Sequence, residues 1–154
     1  MSRTVTGLRR LVFRAPNVLF RRGLGGIVPK RFLYLEHIGR RSGRLRNTVL
    51  EVVAHDAETG TFHVAAGFGA GSDWYRNVQV APDVTIQVRR SRMPARAVPL
   101  DPEESGEAMV AYAHRYPRAA RRIMSIVGAD TDGSDESYRE IGRRRIPFVR
   151  FDPR

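Results

Sequence analysis

The chain has 154 residues, enough for one domain that buries roughly 68–70% of its unfolded surface, and 42% apolar and 28% charged residues are ordinary globular usage. With no cysteine, disulfide frameworks, thiolate nucleophiles, iron–sulfur clusters and cysteine-based zinc sites are excluded. Twenty-seven Lys plus Arg against 16 Asp plus Glu give a net charge of +11, a field that attracts anions: a phosphorylated cofactor, nucleic acid or an anionic membrane. All the basic residues but Lys30 are arginine, a bias that a GC-rich genome also produces.

In chain order, Val5, Leu8, Leu11, Val12, Ala15, Val18 and Leu19 recur at helical spacing, with Arg9, Arg10, Arg14 and Arg21 on other faces. Pro16 divides this stretch into two short helices or one kinked helix, and Gly23, Gly25 and Gly26 end it. Residues 1–30 are thus expected to be an amphipathic helical segment preceding a domain over 31–154. Arg14, Arg21 and Arg22 interrupt the apolar runs, which rules out a signal-peptide core or a membrane span and predicts a cytoplasmic protein. Residues 32–38 and 47–54 read as a hairpin around Gly39-Arg40-Arg41-Ser42-Gly43-Arg44, and a turn at 56–60 adds a third strand at 61–66. Gly67, Gly69 and Gly71 lead into a helix over 73–80 that Pro82 stops. Strands follow at 84–88 and 95–100, joined around 89–94. Asp101, as N-cap ahead of Pro102, starts a helix running to about Arg115; Pro117 starts another that ends at Gly128. A helical piece near 136–141 and a last strand over 146–151 complete an α+β chain, predicted to be a closed or nearly closed antiparallel barrel with a late helical insertion.

Four segments are candidates for chemistry. In the first, Gly39 and Gly43 allow the backbone of Arg40, Arg41, Ser42 and Arg44 to line up N–H groups as an anion nest, with Leu45 and Arg46 adjoining. An exposed hairpin tip in an arginine-rich chain explains the same residues equally well. In the second, Ala65, Ala66 and Gly67 permit close approach of a planar ligand, on which Phe68 stacks. The third, Asp73-Trp74-Tyr75-Arg76-Asn77, opens a helix whose N-terminus, capped by Ser72 or Asp73, suits an anion. Here Trp74 reads first as an anchor for the helix. The fourth holds Tyr112, His114 and Tyr116, where a tyrosine hydroxyl can give a proton or orient a substrate, though Tyr112 and Tyr116 also have core-packing spacing. His37, His55, His63 and His114 show no metal-ligand spacing, and neither a phosphate-binding P-loop nor a dinucleotide fingerprint is present. An enzyme built from these residues draws its reactivity from a bound cofactor.

Taken as an ordered set, Gly39-Arg40-Arg41-Ser42-Gly43 with Arg46, Val64-Ala65-Ala66, and Asp73-Trp74-Tyr75-Arg76-Asn77 followed by Ala81-Pro82-Asp83-Val84 resemble the deazaflavin-dependent nitroreductase family, from about residue 32 to 88. The resemblance implies an antiparallel split β-barrel that binds coenzyme F420 and passes a hydride to a quinone, a nitro compound or another electron-poor small molecule. It implies that Arg40 to Arg46 cradle the phosphate side of the cofactor and that Ala65 to Phe68 and Asp73 to Asn77 line the rest of its groove, with Tyr116 as the candidate proton donor. Phe68 stands where the best-known members carry a lysine, and of their late-helix tyrosines only Tyr116 matches, the later positions being Ala119 and Arg122. FMN is the alternative cofactor, related barrels binding FMN or haem. A non-catalytic carrier on the same barrel is one further reading. Another is peripheral contact with an anionic membrane through the N-terminal helix and the arginines 118, 121 and 122, with nucleic acid ranked below it for want of a recognition motif. Homodimerisation is compatible with such a barrel.

Overall fold

The computed structural model describes residues 17–27 and 30–154; the expectations for residues 1–16 fall outside them. Residues 17–21 are helical, and a 3-10 turn spans Gly25–Ile27. Six strands follow: β1 Phe32–Ile38, β2 Leu45–His55, β3 Phe62–Ala65, β4 Asp83–Val88, β5 Ser91–Pro99 and β6 Phe148–Pro153. They close into an antiparallel barrel in the order β1-β2-β3-β6-β5-β4, the last strand of the sequence filling the gap between β3 and β5. Four helices complete the domain: α1 Asp73–Val80, α2 Pro102–Arg115, α3 Pro117–Val127 and α4 Asp135–Arg144. From residue 32 onward the expected strands and helices are all present.

Alternation along the strands sorts the core into two layers. Leu33 and Leu35 of β1, Leu50, Phe62, Val64, Val84, Ile86, Ala95, Ala97, Val149 and Phe151 fill the barrel, and Tyr75 and Val78 of α1 join them as a plug. Phe148, on the other face of β6, belongs to a second cluster with Met109, Tyr112, Ala120, Met124, Tyr138 and Ile141 of the late helices. Phe20 stacks on Tyr34 of β1 at 5.3 Å between ring centroids, holding the first described helix to the outside of the barrel.

The largest difference from expectation is β5, which begins at Ser91 rather than 95. Its turn from β4 is only Arg89-Arg90, and Arg89 takes the left-handed φ of 52° that a tight two-residue hairpin demands. Pro94 is tolerated because its carbonyl faces Arg154 beyond the end of β6, whose pairing with β5 starts at Ala95, so its missing N–H leaves no ladder bond unmade. The α2 start carries a full capping box, with Glu104 N–H donating to Asp101 Oδ1 at 2.8 Å and Asp101 N–H to Glu104 Oε2 at 3.0 Å.

α2 and α4 cross so closely that a methyl on Gly142 would lie within hard contact of the Ser105 carbonyl oxygen and 2.8 Å from Gly106 Cα, both backbone atoms. Gly142→Ala is therefore expected to destabilise the fold by about 1–3 kcal/mol, whereas Gly71→Ala, at a position with open space around it, should change stability by less than about 0.5 kcal/mol. Urea titration of the two variants checks both values.

Candidate functional site

The β1–β2 register sets the site. Leu33 faces Leu50, Leu35 faces Thr48, and His37 faces Arg46, so the inward face of this hairpin turns from apolar to polar as it nears one end of the barrel. Helix α1 covers that end, and between it and the hairpin tip lies a cleft of about 550 Å³. His37, Gly39, Arg40, Arg41, Ser42, Arg46, Asn47, Thr48, Asp73, Trp74 and Asn77 line it. Two of the three segments that the resemblance puts around one groove are thus brought together, while residues 65–68 lie outside this cleft.

Their junction is polar and specific. The Arg40 backbone N–H and its Nη1 donate to Asn77 Oδ1 at 3.1 and 2.9 Å, and Nη1 also meets Asp73 Oδ1 at 3.0 Å. Asn77 Nδ2 in turn faces His37 Nδ1 at 3.1 Å, and both of those residues are buried. Arg40 thus ties the hairpin tip to α1 through its backbone N–H and Nη1 while still lining the cleft. The tip itself is tied by Gly39 N–H to the Arg44 carbonyl, Gly43 N–H to the Gly39 carbonyl with Gly43 at a φ of 66°, and Arg44 N–H to Ser42 Oγ. These bonds use most of the amides expected to form an anion nest. Within residues 39–44 the consecutive N–H groups of Arg41 and Ser42 are left for an anion, and the exposed side chains of Arg41, Arg44 and Arg46 carry no ion pair among the described residues.

The remaining assignments divide. Trp74 is half-buried and faces the cleft, while its neighbour Tyr75 is the anchor, buried in the barrel core. Ser72 is the N-cap by position, but its hydroxyl donates to the Gly69 carbonyl at 2.9 Å instead of capping α1. Arg76 is exposed, with Nε directed at the Ala70 carbonyl. Leu45 points to solvent, and Ala65 and Ala66 lie outside the cleft, Ala66 fully buried. Gly67, Phe68 and Gly69 border a second recess of about 440 Å³ with Ile126, Val127, Arg144 and Arg145. Tyr112 is buried, which pushes its hydroxyl pKa up to about 12, with Glu51 adding to the effect. Tyr116 is 42% exposed, its ring 5.6 Å from that of Tyr112, and it lines neither recess. The exposed arginines 118, 121 and 122 of α3 carry no ion pair among the described residues, whereas Arg139 and Arg143 are bridged to Glu107, Glu136 and Glu103.

His37, Asn47 and Thr48 are site residues that sequence reasoning missed. The signal for His37 was its place two residues beyond Leu35 in an inward-facing alternation, which puts a polar ring at the barrel's end. Burial and the nearby Arg46 charge hold its pKa below the usual histidine value, with Asp73 opposing.

The same fold occurs in an F420-H2 dependent reductase (FDR-A), with a TM-score of 0.56 at 22% identity over 82% of this chain and 97% of that one. It occurs also in a pyridoxamine 5'-phosphate oxidase-related FMN-binding protein of Nostoc punctiforme, with a TM-score of 0.58 at 16% identity over 90% and 80%, and in a domain-swapped dimer with a TM-score of 0.57 at 20% identity over 94% and 98%. Barrel and helices together define an FMN-binding-type split β-barrel. A family model described as F420H(2)-dependent quinone reductase matches residues 15–127, and a Mycobacterium tuberculosis protein bearing that name is 35% identical over 136 residues, 87% of this chain and 99% of its own. The chain belongs to the F420H(2)-dependent quinone reductase family, a family of F420-dependent oxidoreductases. Among the described residues no helix is long and apolar enough to cross a membrane, and no cluster of ligating side chains suits a metal ion.

Because the folded protein resists protonating His37 while the unfolded chain takes up that proton near pH 6.5, the sign is fixed. Stability is full above about pH 6.5 and falls as acid protonates the unfolded state first. The melting temperature of the wild type is expected to drop more between pH 7.5 and about 5.5 than that of His37→Gln, measured in parallel thermal melts.

Proposed function

We propose that this protein reduces a quinone-type acceptor with reduced F420 held in the cleft between the β1–β2 tip and α1. One observation carries the reading: the exposed Arg41 and Arg46, without ion pairs among the described residues, and the two free consecutive backbone N–H groups of Arg41 and Ser42 line a cleft that Trp74 also lines. That donor set fits a cofactor with a phosphate at one end and a flat ring system at the other. When bound, reduced F420 supplies the two-electron reductant as a hydride equivalent, and the protein contributes charge, orientation and a partly dry surface.

Arg41 and Arg46 would hold the phosphate side of the cofactor, a guanidinium fork being suited to phosphate oxygens, with Arg44 adding charge at the same tip. Trp74 offers an aromatic face or edge to the flat part of the ligand. Quinone reduction needs one proton besides the hydride, and water reaching the open cleft supplies it, since Tyr116 lines neither recess. The acceptor has to meet the ring end of the cofactor, so its place is in the same cleft, on the side that Trp74 lines. Nitro compounds fall in the same acceptor class as a second substrate type.

Purified protein titrated with oxidised F420, beside FMN and at two salt concentrations, is expected to bind F420 saturably and more tightly than FMN. Arg46→Ala should raise the F420 Kd by about tenfold or more, the loss of one charge-assisted contact, and lower F420H(2)–quinone turnover at low cofactor concentration. An unchanged Kd in that variant overturns the assignment of the phosphate side to the hairpin tip.

A further inference from the structure

The Arg40–Asn77–His37 network determines where the imidazole proton sits. A backbone N–H and a guanidinium are donors only, so the Asn77 atom that receives both from Arg40 is the carbonyl oxygen. The other end of that carboxamide, Nδ2, is then a donor, and it faces His37 Nδ1 at 3.1 Å. His37 Nδ1 must accept, which leaves the proton of the neutral ring on Nε2. The ring lines the cleft while being only 4% exposed. Among the described residues the fully buried side-chain atoms lacking a partner are Asn17 Oδ1 and His63 Nδ1, so His37 Nε2, which makes no hydrogen bond within the protein, is not fully enclosed, on a ring that lines the cleft.

We propose that His37 is a ligand-binding residue, presenting a fixed Nε2–H donor to an acceptor oxygen of the molecule in the cleft, and that Arg40 and Asn77 are positioning residues that hold that proton on Nε2. The ligand half rests on the cofactor reading above; the proton arrangement does not. Burial and the Arg46 charge oppose the imidazolium against the contrary pull of Asp73, so the donor stays neutral near pH 7. A neutral donor selects by polarity rather than charge: it rewards a carbonyl or phosphate oxygen and penalises a ligand that brings its own N–H to the same point. In this arrangement Arg40 acts on the ligand's donor through two intervening residues, Asn77 and His37.

The test begins on the whole protein without ligand. Nitrogen-15 correlation spectra of the histidine rings, with the His37 signals assigned from His37→Gln, are expected to show a pyridine-like Nδ1 and a pyrrole-like Nε2 at pH 7. Asn77→Asp keeps an oxygen toward Arg40 but sets a second oxygen against Nδ1, and should move a proton onto Nδ1. A protonated Nδ1 in the wild type, or no change in Asn77→Asp, overturns the arrangement. The second arm titrates F420 and its phosphate-free deazaflavin chromophore. His37→Phe should weaken binding by about tenfold, and His37→Gln, whose amide nitrogen falls near the Nε2 position, should restore most of it. Loss for both probes puts the acceptor oxygen on the ring portion, and loss for F420 alone puts it on the phosphate side; either upholds the proposal. Equal affinity of His37→Phe and wild type overturns it. Wild-type protein that shows the Nε2–H tautomer yet binds neither probe overturns the cofactor assignment and the ligand role together, with the internal proton arrangement upheld.

Discussion

The carboxamide of Asn77 is the interaction on which the site depends. A buried amide costs free energy unless its oxygen and nitrogen both find partners, and here the oxygen is satisfied by Arg40 at the hairpin tip and the nitrogen by His37 within the barrel. Helix α1 is thereby fixed to the β1–β2 tip by directional contacts, while Tyr75 and Val78 fix it to the barrel by burial. The apolar contacts supply the larger share of the holding energy. The polar ones set the angle and depth at which the helix sits, and so the width of the cleft.

The charges of the chain are divided in a way that net charge alone does not reveal. On α2 and α4 the arginines are matched by carboxylates, Arg139 with Glu107 and Glu136 and Arg143 with Glu103, and these exposed pairs contribute little to stability individually. At the hairpin tip Arg41, Arg44 and Arg46 face solvent without ion pairs among the described residues, whereas Arg40 is paired with Asp73. The excess positive charge is therefore available where an anion can enter, and a field of that kind speeds its arrival.

Much of this was legible in the sequence because local rules agree with the fold. The capping box at Asp101 and Glu104, the left-handed Gly128 that ends α3, and the glycine-bracketed turn between β1 and β2 each follow from residue type and spacing. The start of β5 was not legible, since Pro94 ordinarily argues against a strand and only the end of β6 next to it makes the proline harmless. Nor was the division of labour among the arginines: Arg40 and Arg41 are adjacent and chemically identical, and only the position of Asn77 decides which is spent on the fold. Tyr75 and Trp74 divide for the same reason, Tyr75 buried in the barrel core and Trp74 partly buried against it while lining the cleft. Which of two neighbouring aromatics faces inward depends on the rotation of a short helix, and a single turn of pattern does not determine that.

The exposed tip has a consequence for the lifetime of the protein. Residues 41–46 place three arginines on a solvent-facing turn held mainly by its own backbone bonds, which is the kind of segment that arginine-directed proteases cut first. An anion bound among those side chains would cover the same peptide bonds and so slow cutting there.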